Sequence, residues 1–193
     1  MFMNETTYRE DANVRASRSG ACELTPLAGG AYRLELKGKF PPRWLANLTS
    51  NLAARDVNIL RGEARKETPT LWKAVFELAP SETSALPESA DFISMTSSEQ
   101  FTPKEPEIRL IRYELSLSEA GLRADIEGPD SVGFLVALFS RFTLFSLFPA
   151  EIQIDTPDGK IRDSFWLRGI GGTLPTEECR AALDQELSKL VAY

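Results

Sequence analysis

The chain repeats itself. Sliding it by 90 residues without a gap lays residues 32–78 over 122–168. Arg33 then meets Arg123, Gly38 meets Gly128, Leu45 meets Leu135, Leu48 meets Leu138 and Ser50 meets Ser140. Apolar residues pair around these identities: Leu36 with Ile126, Trp44 with Phe134, Leu52 with Phe142, Leu71 with Ile161, Val75 with Phe165 and Phe76 with Trp166. Identities alone arise by chance. The matched order of strand, glycine, turn, helix, strand, turn, strand is what points to a duplication. A duplicated chain of 193 residues has to build one supersecondary unit twice and bury an apolar face in each.

Within each copy the hydrophobic period changes from two to helical and back. YRLELKG and LRADIEG alternate apolar and polar residues, the period of a half-buried strand. Trp44, Leu45, Leu48 and Leu52 then recur at helical spacing, with Pro41 and Pro42 at the helix entrance, where a missing N–H costs little. VNILRGEARKE and TLWKAVFEL read as the next two strands, and AEIQIDTPDGKIRDSFWL reads as a hairpin whose Pro-Asp-Gly supplies positive φ at its tip. A last helix carries Cys179, Leu183, Leu187, Leu190 and Val191 on one face. Its counterpart in the first copy is cut short by Pro87.

Neither copy has a strand after its second helix, yet each is preceded by a strand-like run and a short Gly-containing turn, ACELTPLAGGAYRLEL and IRYELSLSEAGLRADI. A hairpin partner lies antiparallel to its neighbour and fills the edge that a βαββαβ unit closes with its final strand. The expected fold class is α+β: two ferredoxin-like units permuted as ββαββα, each a four-stranded antiparallel sheet with helices on one face. The expected division is an N-terminal segment 1–20, a first repeat 21–96, a polar Pro-containing linker 97–107 and a second repeat 108–193.

Composition removes several functions. The chain has no histidine, which excludes Ser-His-Asp and Cys-His catalysis and histidine metal sites. Cys22 and Cys179 are too few for a disulfide scaffold and lack metal-ligand spacing, so no metal or cofactor is expected. A net charge of −6 opposes a general phosphate-binding surface. The longest apolar run, VGFLVALF, is far shorter than a bilayer span, and the N-terminus has no secretory pattern. The expectation is a cytoplasmic protein that is not an enzyme and engages neither nucleic acid nor membrane.

The stretch from Gly128 through Leu167 resembles an ACT domain, closest to the C-terminal ACT repeats of the bifunctional uridylyltransferase/uridylyl-removing enzymes that modify PII signal proteins. Asp130, Gly133, Phe134 and Leu135 match the Asp-x-x-Gly-Leu-Leu turn that opens the first helix there, and Gly159, Asp163, Phe165 and Leu167 match the later strand pair. About 70 residues of the second copy carry the likeness, and the first copy shares it only through the repeat. The nucleotidyltransferase and hydrolase portions of those enzymes have no counterpart. In layout the chain is also similar to stand-alone two-ACT regulators. The resemblance implies ACT-type units, sensing of an amino acid or related small carboxylate at interfaces between units, and association into a homo-oligomer or with a regulatory partner.

Two readings of the turn Asp130, Ser131, Val132, Gly133, Phe134 stay open. Asp130 or Ser131 caps the helix, or the free helix N–H groups and Gly133 admit a ligand carboxylate. In the first copy Phe40 replaces Asp130 and Arg43 replaces Gly133, so a site there is expected to be degenerate. Phe134, Phe139, Phe142, Phe145 and Phe148 cover more than one helical face. Core packing accounts for part of this surplus, and Phe139, Phe142 and Phe145 are expected at an interface with the first copy or another subunit.

A regulatory ACT-like sensor or interaction protein is the leading function. An RNA-binding RRM-like module is the alternative raised by TLWKAVFEL, whose aromatics sit on a candidate central strand. A small enzyme using Asp125, Glu127, Asp130, Asp155, Asp158 and Asp163 is another, although these acids are placed as solvated surface groups are.

Overall fold

Alternation becomes strand, and helical spacing becomes helix, largely where the sequence places them. The computed structural model describes residues 20–82, 84, 90–97 and 106–191. Nearly all of the 1–20 segment, residues 98–105 of the linker, and Pro87 lie outside the described residues. The first repeat contains β1 (Ala21–Pro26), β2 (Tyr32–Gly38), α1 (Trp44–Ala53), β3 (Val57–Lys66), β4 (Trp72–Pro80) and α2 (Phe92–Ser97). The second contains β5 (Arg112–Ser118), β6 (Gly121–Pro129), α3 (Phe134–Leu144), β7 (Phe148–Asp155), β8 (Lys160–Arg168) and α4 (Glu177–Ser188). Among the described residues no helix is long and apolar enough to cross a membrane.

The sheet corrects the expected fold class. Two separate ferredoxin-like ACT units do not form; all the described strands join one antiparallel eight-stranded sheet in the order β1-β2-β4-β3-β7-β8-β6-β5. The join is β3 with β7, from Arg61 opposite Asp155 to Arg65 opposite Glu151. Its outer face carries an Arg61–Asp155 ion pair at 3.2 Å. That pair is exposed and contributes little. On the other face Gly62, Ala64, Ile152 and Ile154 extend one apolar layer across the seam. The core is correspondingly a single cluster with residues from both repeats. Strand propensity cannot reveal this junction, because an edge strand's unpaired N–H and C=O groups accept any neighbour.

Backbone irregularities recur at the 90-residue offset. Arg43 (φ 65°) and Gly133 (φ 86°) both enter their helices left-handed, and Asp56 (φ 56°) and Ser146 (φ 54°) both leave them so. A bulge falls between Ile59 and Arg61 in β3 and between Pro149 and Glu151 in β7. The offset then slips by one residue. Leu34 lies opposite Phe76 and Ala124 opposite Phe165, so Phe76 corresponds to Phe165 rather than to Trp166. Trp72, Ala74, Phe76 and Leu78 thus match Ile161, Asp163, Phe165 and Leu167, and all eight side chains are buried. A slip of one residue turns a strand's side chains to the other face, which leaves Trp166 outside, beneath the Arg123 guanidinium at 5.2 Å.

The apolar faces of α1 and α3 pack on the sheet and against each other across the seam. Leu48 and Leu52 of α1 and Leu138 and Phe142 of α3 are fully buried. The short α2 is held to α1 by amides: Asn47 and Asn51 donate to the carbonyls of Thr96 and Met95 at 3.1 and 3.2 Å. α4 is capped by Thr176, whose hydroxyl accepts the Cys179 N–H. It docks on β5 through the Tyr113 hydroxyl, 2.8 Å from the Asp184 carboxylate.

Candidate functional site

The turn before α3 is built by backbone alone. Gly133 in the left-handed region lets the Phe134 N–H reach the Ser131 carbonyl at 3.0 Å and the Ala137 N–H reach the Gly133 carbonyl at 3.1 Å. No side chain among the described residues caps the helix, so the capping role considered for Asp130 or Ser131 is not played. The Leu135 and Val136 N–H groups have no acceptor among the described residues, as expected for a first turn without a cap. Asp130 faces across the seam instead. Its N–H donates to the Gly159 carbonyl at 3.0 Å, and its Oδ2 accepts from Asn58 Nδ2 of the first repeat at 2.6 Å. Ser131 and Val132 are exposed and Phe134 is buried.

A pocket lies where this turn meets the first repeat. Asp130, Ser131, Gly133, Phe134, Leu135 and Val136 form one wall, and the C-terminal half of α1 with Val57, Asn58 and Ile59 forms the facing one. Ile154, Thr156, Ile161 and Asp163 complete it. Its free volume is about 20 Å³ within an envelope of about 370 Å³ that opens to solvent. That free volume holds one water-sized group. Among the described residues no Lys or Arg side chain lines it. Four residues of the expected loop are therefore brought together at one site, and Val132 is left out.

Asp163 departs most from what its acidic side chain predicts. It was expected among solvated acids, yet it is 2 % exposed. Its Oδ1 accepts the Asp155 N–H at 3.2 Å, and no other hydrogen bond to its carboxyl group forms among the described residues. Burial pushes its pKa up to about 8, opposed by that amide bond and reinforced by the negative charges of Asp130 and Asp155. At neutral pH it is mostly a neutral acid. The signal was present in the alternation, since Ile161, Phe165 and Leu167 set an inward parity that position 163 shares. Asn58 had no such signal.

The equivalent corner of the first repeat holds no such pocket residues. Phe40 stands where Asp130 does, Trp44 where Phe134 does, Trp72 where Ile161 does and Ala74 where Asp163 does. The Phe40 and Trp44 rings are 4.7 Å apart, and Trp44 meets Trp72 edge-on at 5.2 Å. Three aromatic rings fill the space that two carboxyl groups border on the other side.

The remaining expected residues are also located. Phe139 and Phe142 are 3 % and 0 % exposed and meet Phe165 edge-on at 5.9 and 5.4 Å, so their rings belong to the chain's own core rather than to an outer surface. Phe145 is partly buried and its carbonyl accepts the Cys179 Sγ–H at 3.6 Å. The aromatics of TLWKAVFEL, Trp72 and Phe76, are buried, which removes them as base-stacking groups on the open sheet face. Among the described residues no group of three or more His, Cys, Asp or Glu side chains is placed to hold a metal ion. No protein-family model matches this chain, and no curated protein or solved structure does.

Proposed function

We propose that this protein is a non-catalytic regulatory module that senses a small ligand, an amino acid or related carboxylate, at the seam between its repeats. The observation that carries the reading is the seam pocket. The Asp130–Phe134 turn meets Asn58 of the other repeat there, so a ligand seated in it touches both halves and ties its affinity to their relative placement. The left-handed glycine permits close approach to the backbone, and Leu135 and Val136 are among the residues that line the space. The likeness of residues 128–167 to ACT domains motivates the same reading. No nucleophile–base pair accompanies the pocket acids, which favours sensing over catalysis. The bound state is passed on by association with a second copy or a regulatory partner. The outer edges of β1 and β5, which no other described strand covers, suit sheet extension.

A thermal-shift screen with amino acids, 2-oxo acids and nucleotides at millimolar concentration tests this, since a ligand at 100 times its Kd adds about 2.7 kcal/mol of stability. One class should raise the melting temperature, and Gly133→Arg, which copies Arg43 of the first repeat, should abolish the rise while the free protein stays folded. A rise that survives this substitution places the ligand elsewhere, and a screen without any rise removes the sensing reading.

A further inference from the structure

We propose that the seam pocket receives a primary ammonium group, the amino end of an amino acid or small amine, between the carboxyl groups of Asp130 and Asp163. This inference rests on the seam pocket being a ligand site and names the part of the ligand that enters it. Size is the first support: about 20 Å³ of free volume accommodates a water-sized head such as an ammonium. Charge is the second. The titratable groups facing Asp163 are Asp130, from the turn before α3, and Asp155, from β7; the first repeat contributes only Asn58 and Thr49 as polar neighbours. With no Lys or Arg among the described residues of its lining, the pocket offers an anion only neutral donors and offers a cation two acidic partners. Burial is the third. Asp163 is almost wholly enclosed, and its second oxygen, which no described group engages, keeps its only solvent contact at the pocket that Asp163 lines. The first repeat shows that the fold does not need this acid, because Ala74 occupies the matching buried position.

The chemistry has a proton signature. At neutral pH Asp163 is held mostly protonated by burial, and an arriving ammonium favours its ionised form, so binding expels that proton. Affinity for amines then rises with pH up to about 8 and levels off once the proton is already gone.

The experiment uses the whole chain and two sets of probes: amino acids, ethylamine and ethanolamine against acetate and the matching 2-oxo acids. Ammonium-bearing probes should raise the melting temperature and the others should not. Calorimetric titration of the best probe at pH 7, in buffers of different protonation enthalpy, should show close to one proton released. Asp163→Asn and Asp163→Ala should each abolish that release and weaken binding tenfold or more. If acetate or a 2-oxo acid binds as well as its amine, or if Asp163→Asn leaves affinity and proton release unchanged, the ammonium assignment is overturned while the seam pocket remains a ligand site. If no probe shifts the wild-type melt, or if binding survives both Asp163→Ala and Gly133→Arg, the seam reading itself falls.

Discussion

The helix-entry corners of the two repeats share a backbone and differ in content. Residues 40–44 and 130–134 close with the same two hydrogen bonds: Trp44 N–H to Pro41 and Asn47 N–H to Arg43 in one, Phe134 N–H to Ser131 and Ala137 N–H to Gly133 in the other. One corner is packed with Phe40, Trp44 and Trp72, and the other is bordered by Asp130 and Asp163. Duplication preserved what the backbone requires and left side chains free to divide the work. The aromatic corner is packed ring on ring within the first repeat, and the acidic corner keeps a space and a buried carboxyl group.

The largest effect that separates the corners is the loss of the aromatic plug. Trp44 is 2 % exposed, and Trp44→Ala should destabilise by about 3–5 kcal/mol, read as a lower urea midpoint. Trp44→Phe should cost far less, because the Trp44 Nε1–H is buried without a hydrogen-bond partner and Phe removes that donor. An equal loss for both variants would mean that ring size, not the cavity, sets the cost.

The acidic corner makes an opposite kind of contribution, visible through pH. Between about pH 4 and pH 8 the folded chain keeps on Asp163 a proton that the unfolded chain has released. The folded state therefore binds more protons, and this group's contribution to stability falls as pH rises, by up to about 1.4 kcal/mol per unit. Below that window both states are protonated and above it both are ionised, so the slope vanishes at either end. Unfolding in urea at pH 6 and pH 8 should show Asp163→Asn losing less stability over the interval than wild type by about 2 kcal/mol. Parallel pH dependence of the two proteins would place the ionised carboxylate in a polar setting and erase the contrast with Ala74.

The comparison also marks what a sequence can reveal. The turn, the helix and the inward residues of β2 and β6 follow from alternation and the 90-residue offset, because periodicity reports which face is buried. The one-residue slip in β8 was hidden, since the β3–β4 connection is one residue longer than the β7–β8 connection and an ungapped overlay carries that difference into the next strand. Asp163 was legible from the parity of Ile161 and Phe165, but its acidic character outweighed its position. The Asn58–Asp130 contact and the β3–β7 join were not legible. Their partners lie far apart in sequence, and strand edges bond through backbone groups that every residue shares.

Smaller changes test the shared backbone itself. Gly133 has φ 86°, and a Cβ there would sit 3.1 Å from Pro106 Cγ. Gly133→Ala should cost about 1–2 kcal/mol through the left-handed penalty, with a further small cost if Pro106 cannot yield. A neutral result would show that this turn relaxes to a conformation without positive φ, and the correspondence with Arg43 would then be accidental.

The mirror-image change has the smallest effect and the opposite sign. Arg43 holds φ 65°, a conformation that costs a side-chain-bearing residue about 1–2 kcal/mol. Glycine adopts it freely, but it also gives the unfolded chain more freedom, which returns about 0.5–1 kcal/mol of that gain. Arg43 also takes part in a further interaction, and any share its side chain has in it is lost with glycine. Arg43→Gly should therefore stabilise by no more than about 1 kcal/mol, seen as a slightly higher urea midpoint with an unchanged slope. Combined with Gly133→Ala, the two changes should add, since they lie in different repeats and share no described contact. Destabilisation by Arg43→Gly would mean that the arginine's interaction outweighs its backbone strain. The first repeat would then have kept Arg43 for what its side chain does, and the two turns would differ in purpose as well as in content.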